Sequence, residues 1–93
     1  MKNSDVAIEY ISTGFILKYK GKRLELYEYT DVPYRGYLNL TIRMEYDNTY
    51  RHALDVNCRS WSEAIEILED IERLVSKAIE LAKEYKAKGS NNE

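Results

Sequence analysis

The spacing of the apolar residues changes period once along the chain, near residue 60, and that change limits the fold more than any other feature. Before it, aliphatic side chains alternate with polar ones in short runs, the two-residue period of half-buried strands. After it they recur every three or four residues as far as residue 86, the period of one long helix. Strands followed by a single helix predict an α+β domain: an antiparallel meander of four to five strands over residues 6–57, with one long C-terminal helix over residues 60–86 packed on one face. The chain has 93 residues, which is one domain's worth, expected to span residues 1–88 with a disordered tail at 89–93.

Residues 6–11 read as a first strand ending at the turn residues Ser12, Thr13 and Gly14. Phe15, Leu17 and Tyr19 alternate with Ile16, Lys18 and Lys20, and Leu24 and Leu26 resume the pattern after Gly21-Lys22. With Gly21-Lys22 as a two-residue loop, Lys20 faces Arg23, Lys18 faces Glu25, Tyr19 faces Leu24 and Leu17 faces Leu26. Pro33, between Asp31 and Gly36, takes the chain out of the sheet in a loop carrying Tyr34 and Arg35. Leu38, Leu40, Ile42 and Met44 then mark one face of the clearest strand. A tight turn at Asp47-Asn48-Thr49 sets Glu45 opposite Arg51, Met44 opposite His52, Ile42 opposite Leu54 and Leu40 opposite Val56.

Ser60 and Glu63 have the spacing of a capping box, in which each side chain satisfies a free N–H at the helix start. The stripe that follows is Trp61, Ala64, Leu68, Ile71, Val75, Ala78, Ala82 and Tyr85, widened by Ile65, Ile79, Ile67, Leu74 and Leu81. A helix this long either overhangs a small sheet or lies along the strands and covers its own stripe. In the first case Ile79, Leu81, Ala82 and Tyr85 are dimer contacts and the chain is a homodimer.

Catalysis is not expected. The lone His52 and the lone Cys58 both fall on the inward face by alternation, and no glycine-rich phosphate loop is present. One histidine and one cysteine build neither an ordinary zinc site nor an internal disulfide, so no cofactor or metal is expected. No apolar run is long enough for a bilayer, and Met1 leads into Lys2, Asn3, Ser4 and Asp5 rather than a signal sequence; a cytoplasmic protein with no membrane partner is expected. The absence of glutamine, with abundant lysine, glutamate, isoleucine and tyrosine, resembles thermophile usage.

Net charge is −2, yet residues 1–59 hold nine bases against eight acids and residues 60–93 five against eight. By parity the basic half shows tyrosines on the sheet face away from the helix: Tyr27, Tyr29 and Tyr37, with Lys18, Lys20, Arg23, Arg43 and Arg51. Lys22 at the hairpin tip and Arg35 in the proline loop form the edges. Rings stack on unpaired bases and cations meet phosphates, so these ten residues are candidate contacts for single-stranded DNA or RNA. Tyrosine and arginine equally typify protein interfaces, and Glu25, Glu45 and Asp55 share the face, so a protein partner remains the alternative: a small adaptor or inhibitor from a virus or other mobile element.

Tyr19-Lys20-Gly21-Lys22-Arg23-Leu24-Glu25-Leu26-Tyr27-Glu28-Tyr29 resembles the central hairpin of the positive cofactor four family of transcriptional coactivators. Val56-Asn57-Cys58-Arg59-Ser60-Trp61-Ser62 is similar to that family's closing strand-to-helix segment; the two stretches cover about a fifth of the chain. The resemblance implies an antiparallel sheet followed by one helix, dimerisation, and binding of single-stranded DNA without metal or cofactor. It also implies ligand contacts at Lys20, Lys22 and Tyr29 and a structural role for Trp61. The chain departs from the family in carrying two strands, residues 38–46 and 50–57, where the family has one before its helix.

Overall fold

The computed structural model describes residues 5–46 and 49–89. Five strands, β1 (Ala7–Ile11), β2 (Gly14–Tyr19), β3 (Lys22–Glu28), β4 (Leu38–Tyr46) and β5 (Thr49–Cys58), form one antiparallel sheet in sequence order, followed by α1 (Trp61–Ala87). This is the expected α+β meander with its C-terminal helix. The expected turn at Asp47 and Asn48 and the end of the expected tail, residues 90–93, lie outside the described residues.

The β2–β3 loop differs from the expectation. Lys20 (φ 49°) and Gly21 (φ 75°) are its two residues, so Tyr19 pairs with Lys22, Leu17 with Leu24 and Phe15 with Leu26. Two successive left-handed residues give the mirror-image turn whose twist matches the strands, and the glycine takes the second place rather than the first. The pairing slips by two residues from the predicted register, and an even slip leaves every side chain on its original face. It does change partners: Lys18 now opposes Arg23, and Glu25 opposes Ile16.

Cross-strand rows then build the core. Phe15, Leu26, Leu40 and Val56 form one row, and Leu17, Leu24, Ile42 and Leu54 the next. Leu26, Leu38, Leu40 and Cys58 are each 2% exposed or less, and Ala64 closes over them with Ile67 and Leu68 beside it. Burial on this scale contributes about 1.5–3 kcal/mol per leucine, so most of the stabilisation is concentrated on β3, β4 and the first turns of α1.

A bulge interrupts the β4–β5 ladder. Ile42 faces Leu54 and Leu40 faces Val56, as the alternation predicts, but Ala53 has no partner, so Arg43 faces position 52 and Met44 faces Arg51. One extra residue reverses the parity of what precedes it. Arg51, expected on the outward face, is set on the side of the sheet that carries Met44, Ile42 and Leu40. The side chain of His52, expected to face inward, lies outside the described residues.

Ser60 caps the helix from an extended conformation (φ −159°, ψ 165°), its Oγ accepting the Glu63 N–H at 3.1 Å. Glu63 Oε1 accepts in return from the Arg59 N–H at 2.6 Å, one residue earlier than an ordinary capping box places it. The helix meets the sheet along β4 and β5 and leaves it after about three turns: Ile71 is half-buried, and every residue from 72 to 89 is exposed. Of the two arrangements open to a helix this long, the overhang is the one observed, in a molecule of 53 × 29 × 25 Å. Trp61, in the first turn of α1, is 40% exposed. Ile8 and Tyr10, on the same side of the sheet as Leu17 and Phe15, are exposed as well. Among the described residues no helix is long and apolar enough to cross a membrane.

Candidate nucleic-acid interface

The sheet face opposite the helix divides into three zones. In the centre, Glu25 is 5% exposed and accepts from Arg23 Nε at 2.7 Å, with Arg43 Nη2 at 3.6 Å. Arg23 and Arg43 are directly opposed across β3 and β4, so the carboxylate holds two like charges side by side. Thr41 Oγ1 donates to Asn39 Oδ1 at 2.7 Å, and Asn39 Nδ2 donates to Asp55 Oδ1 at 3.5 Å. Arg43 Nε is buried without a hydrogen-bond partner among the described residues. Long side chains thus bury a polar strip on the side away from the core, which parity alone does not reveal.

The second zone lies at the β3 C-terminal end. The Tyr29 N–H donates to the Tyr37 carbonyl at 2.8 Å and the Gly36 N–H to the Tyr29 carbonyl at 3.1 Å, extending the β3–β4 pairing past the strand ends. Turns closed by Tyr34 N–H to the Asp31 carbonyl and Tyr37 N–H to the Tyr34 carbonyl then fold the proline loop back, with Gly36 at φ 92°. The Tyr27 and Tyr29 rings meet edge to face at 5.7 Å, and the Tyr34 ring lies 5.6 Å from Tyr29. Tyr29 Oη donates to Asn57 Oδ1 at 3.5 Å, which fixes this group on the face away from Ala64. Tyr34 and Tyr37 are 54% and 43% exposed, and Arg35 beside them donates through Nε to the Thr30 carbonyl at 3.3 Å.

The third zone is the β2–β3 tip, whose exposed lysines divide between the two faces: Lys18 opposes Arg23 on the face away from the helix, Lys20 lies in the loop, and Lys22 opposes Tyr19 and Met44 on the helix side. Lys20 Nζ lies 5.3 Å from the Tyr19 ring, and Lys22 Nζ donates to the Lys20 carbonyl at 3.2 Å. The length of β3, seven residues or roughly 20 Å, separates these lysines from the tyrosine cluster. Of the ten candidates, the structure brings together the rings of Tyr27 and Tyr29, sets the Tyr37 backbone against Tyr29, and places Arg35 in the adjoining loop. It pins Arg23 and Arg43 against Glu25, moves Lys18 and Lys20 to the far end, and sets Lys22 and Arg51 on the other face. Tyr34 joins the cluster without having been a candidate. Its signal was the short interval from Pro33 to Gly36, which forces the loop back on itself.

Burial raises the Tyr27 phenol above its ordinary range; Tyr29, Glu25 and Asp55 push the same way and Arg43 opposes them. The Tyr27 phenol is therefore kept in its neutral, hydrogen-bonding form at physiological pH. Burial likewise raises the Cys58 thiol, with the Glu63 carboxylate adding to it. The thiolate is the reactive form, so native protein at pH 8 is expected to label with a thiol reagent at least tenfold more slowly than protein unfolded in guanidinium. Equal rates would show that the base of α1 opens freely. Among the described residues no group of three His, Cys, Asp or Glu side chains is placed to hold a metal ion.

The helix residues expected at a dimer contact, Ile79, Leu81, Ala82 and Tyr85, are all exposed on the overhanging half. Compared with family models, curated proteins and solved structures, the chain matches none.

Proposed function

We propose that the chain is a non-enzymatic, cytoplasmic binding module that holds single-stranded nucleic acid at the Tyr27, Tyr29, Tyr34 and Tyr37 cluster. The observation that carries this reading is the clustering of the Tyr27, Tyr29 and Tyr34 rings at one end of the sheet face away from the helix, with Tyr34 and the backbone-linked Tyr37 open to solvent. Bases stack on such rings with little sequence preference, at about 1–3 kcal/mol per base, and Arg35 is within the same loop for a phosphate. A strand continuing along β3 on this face would reach Lys18 near the tip. The resemblance of the Tyr19-to-Tyr29 hairpin to the positive cofactor four family supports the same ligand class.

Fluorescence anisotropy with a labelled oligothymidylate tests it. Binding is expected to weaken from low to high salt, and Tyr37→Ala to weaken it about tenfold at either salt, the equivalent of one lost stacking partner. No binding at low salt, or full affinity in Tyr37→Ala, sinks the proposal. The exposed half of α1 favours a second reading, a small protein-interaction module of the adaptor or inhibitor kind, and with it a homodimer. A host partner captured after nuclease treatment, by protein that binds no oligonucleotide, would select that reading.

A further inference from the structure

The spacing along α1 carries more than overhang. Trp61, Ala64, Leu68, Ile71, Val75, Ala78, Ala82 and Tyr85 alternate by three and four without a break, a 3.5-residue repeat. That is the period of a seam between two helices, whereas a straight helix drifts from it by about 20° per heptad. The sheet uses only the first half of the seam, through Ala64, Leu68 and Ile71. The second half, with Leu74, Ile79 and Leu81 flanking it, is exposed, and a helical segment of that length is marginal in water by itself.

We propose that the exposed half of α1 packs against the same segment of a second copy in antiparallel orientation, Val75 facing Tyr85 and Ala78 facing Ala82 on either side of the two-fold axis. The geometry rests on the dimeric reading above and adds its orientation and register. Each helix carries its own sheet on its first turns, so a parallel pair would drive two sheets into one space; the antiparallel pair sets them at opposite ends. Charge selects the same arrangement. Within the exposed half Glu72 stands at the start and Lys86 and Lys88 at the end, while Lys77 is paired with Glu80 of its own helix at 3.2 Å. Antiparallel helices lay Glu72 beside the partner's Lys86 at both ends of the overlap, and parallel ones set Glu72 level with its own copy. In this register the small pair, Ala78 and Ala82, meets at the centre, where close approach of the helices is needed. Ile79 meets its own copy on one flank and Leu81 on the other, and Glu72 comes beside Lys86. Residues 72–88 overlap, about 24 Å of helix.

The test joins light scattering to disulfide trapping. In a Cys58→Ala background, chains bearing Val75→Cys or Tyr85→Cys are mixed and oxidised. The expected result is a particle of twice the 11.0 kDa chain mass and a crosslink joining the two variants to each other. Neither variant should crosslink to itself, since positions 75 and 75 of an antiparallel pair stand about 15 Å apart, beyond disulfide reach. Self-crosslinking of Val75→Cys in a dimer would overturn the orientation and leave the dimer standing. A particle of one chain mass at all concentrations would overturn both. A dimer with no crosslink, unchanged by Ala82→Glu, would place the contact elsewhere and overturn the seam. Position 82 is exposed, so circular dichroism of Ala82→Glu should retain the sheet signal.

Discussion

Leu40→Ala is expected to cost about 3–5 kcal/mol and to lower the thermal midpoint by roughly 15–25 °C, read by circular dichroism. Leu40 is fully buried between Leu26 and Val56 in the cross-strand row beneath α1. Removing its branched end leaves a cavity that rigid neighbouring strands do not close. The residues around it are also the ones that hold the helix to the sheet, through Ala64, Ile67 and Leu68. The same truncation at Leu74, on the overhang, should leave the stability of dilute monomer within about 0.5 kcal/mol. Comparable losses at the two positions would mean that the core extends along the helix, contrary to the burial pattern.

Glu25→Ala is expected to destabilise by about 2–3 kcal/mol, measured by urea unfolding. The carboxylate is almost fully buried, and removing it leaves Arg23 and Arg43 opposed across two strands with nothing between them. Both guanidiniums keep some access to solvent, which holds the loss below that of a fully enclosed pair. Adding Arg43→Leu to Glu25→Ala should recover part of the loss, because the residual cost is repulsion and desolvation rather than missing volume. A double variant no more stable than Glu25→Ala would show that the acid acts by packing alone.

The layer order, the one-sided aliphatic rows of β4 and the start of α1 at Ser60 were all legible in the residues, since each follows from a period or a spacing. The β2–β3 register was not, because Lys20-Gly21 and Gly21-Lys22 are both acceptable loops and only backbone angles distinguish them. Ala53 left no mark at all. In the run from Tyr50 to Leu54 an apolar residue follows three polar or amphipathic ones, and an unbroken alternation fits as well as a bulged one, so Arg51 was assigned to the wrong face. Candidate contacts were chosen by the direction of single side chains. Glu25 was weighed only as one acid on a charged face, and its capture of both arginines depends on Arg23 two residues back along β3 and on the β3–β4 register, which no spacing in the residues sets. The tyrosines fared better because rings on alternate residues of one strand end remain neighbours under any even slip. Tyr34 reached them through a loop whose path is set by hydrogen bonds rather than by periodicity.

β5 is the last strand of the sheet, and among the described residues no strand faces its outer row of amides and carbonyls. Ten regular residues there would be a ready template on which a foreign strand could zip. The unpaired Ala53 breaks that template into two short lengths whose donors and acceptors fall out of phase, so an incoming strand that matches one length mismatches the other. A single inserted residue thus discourages fibre-like growth from the β5 edge of the sheet.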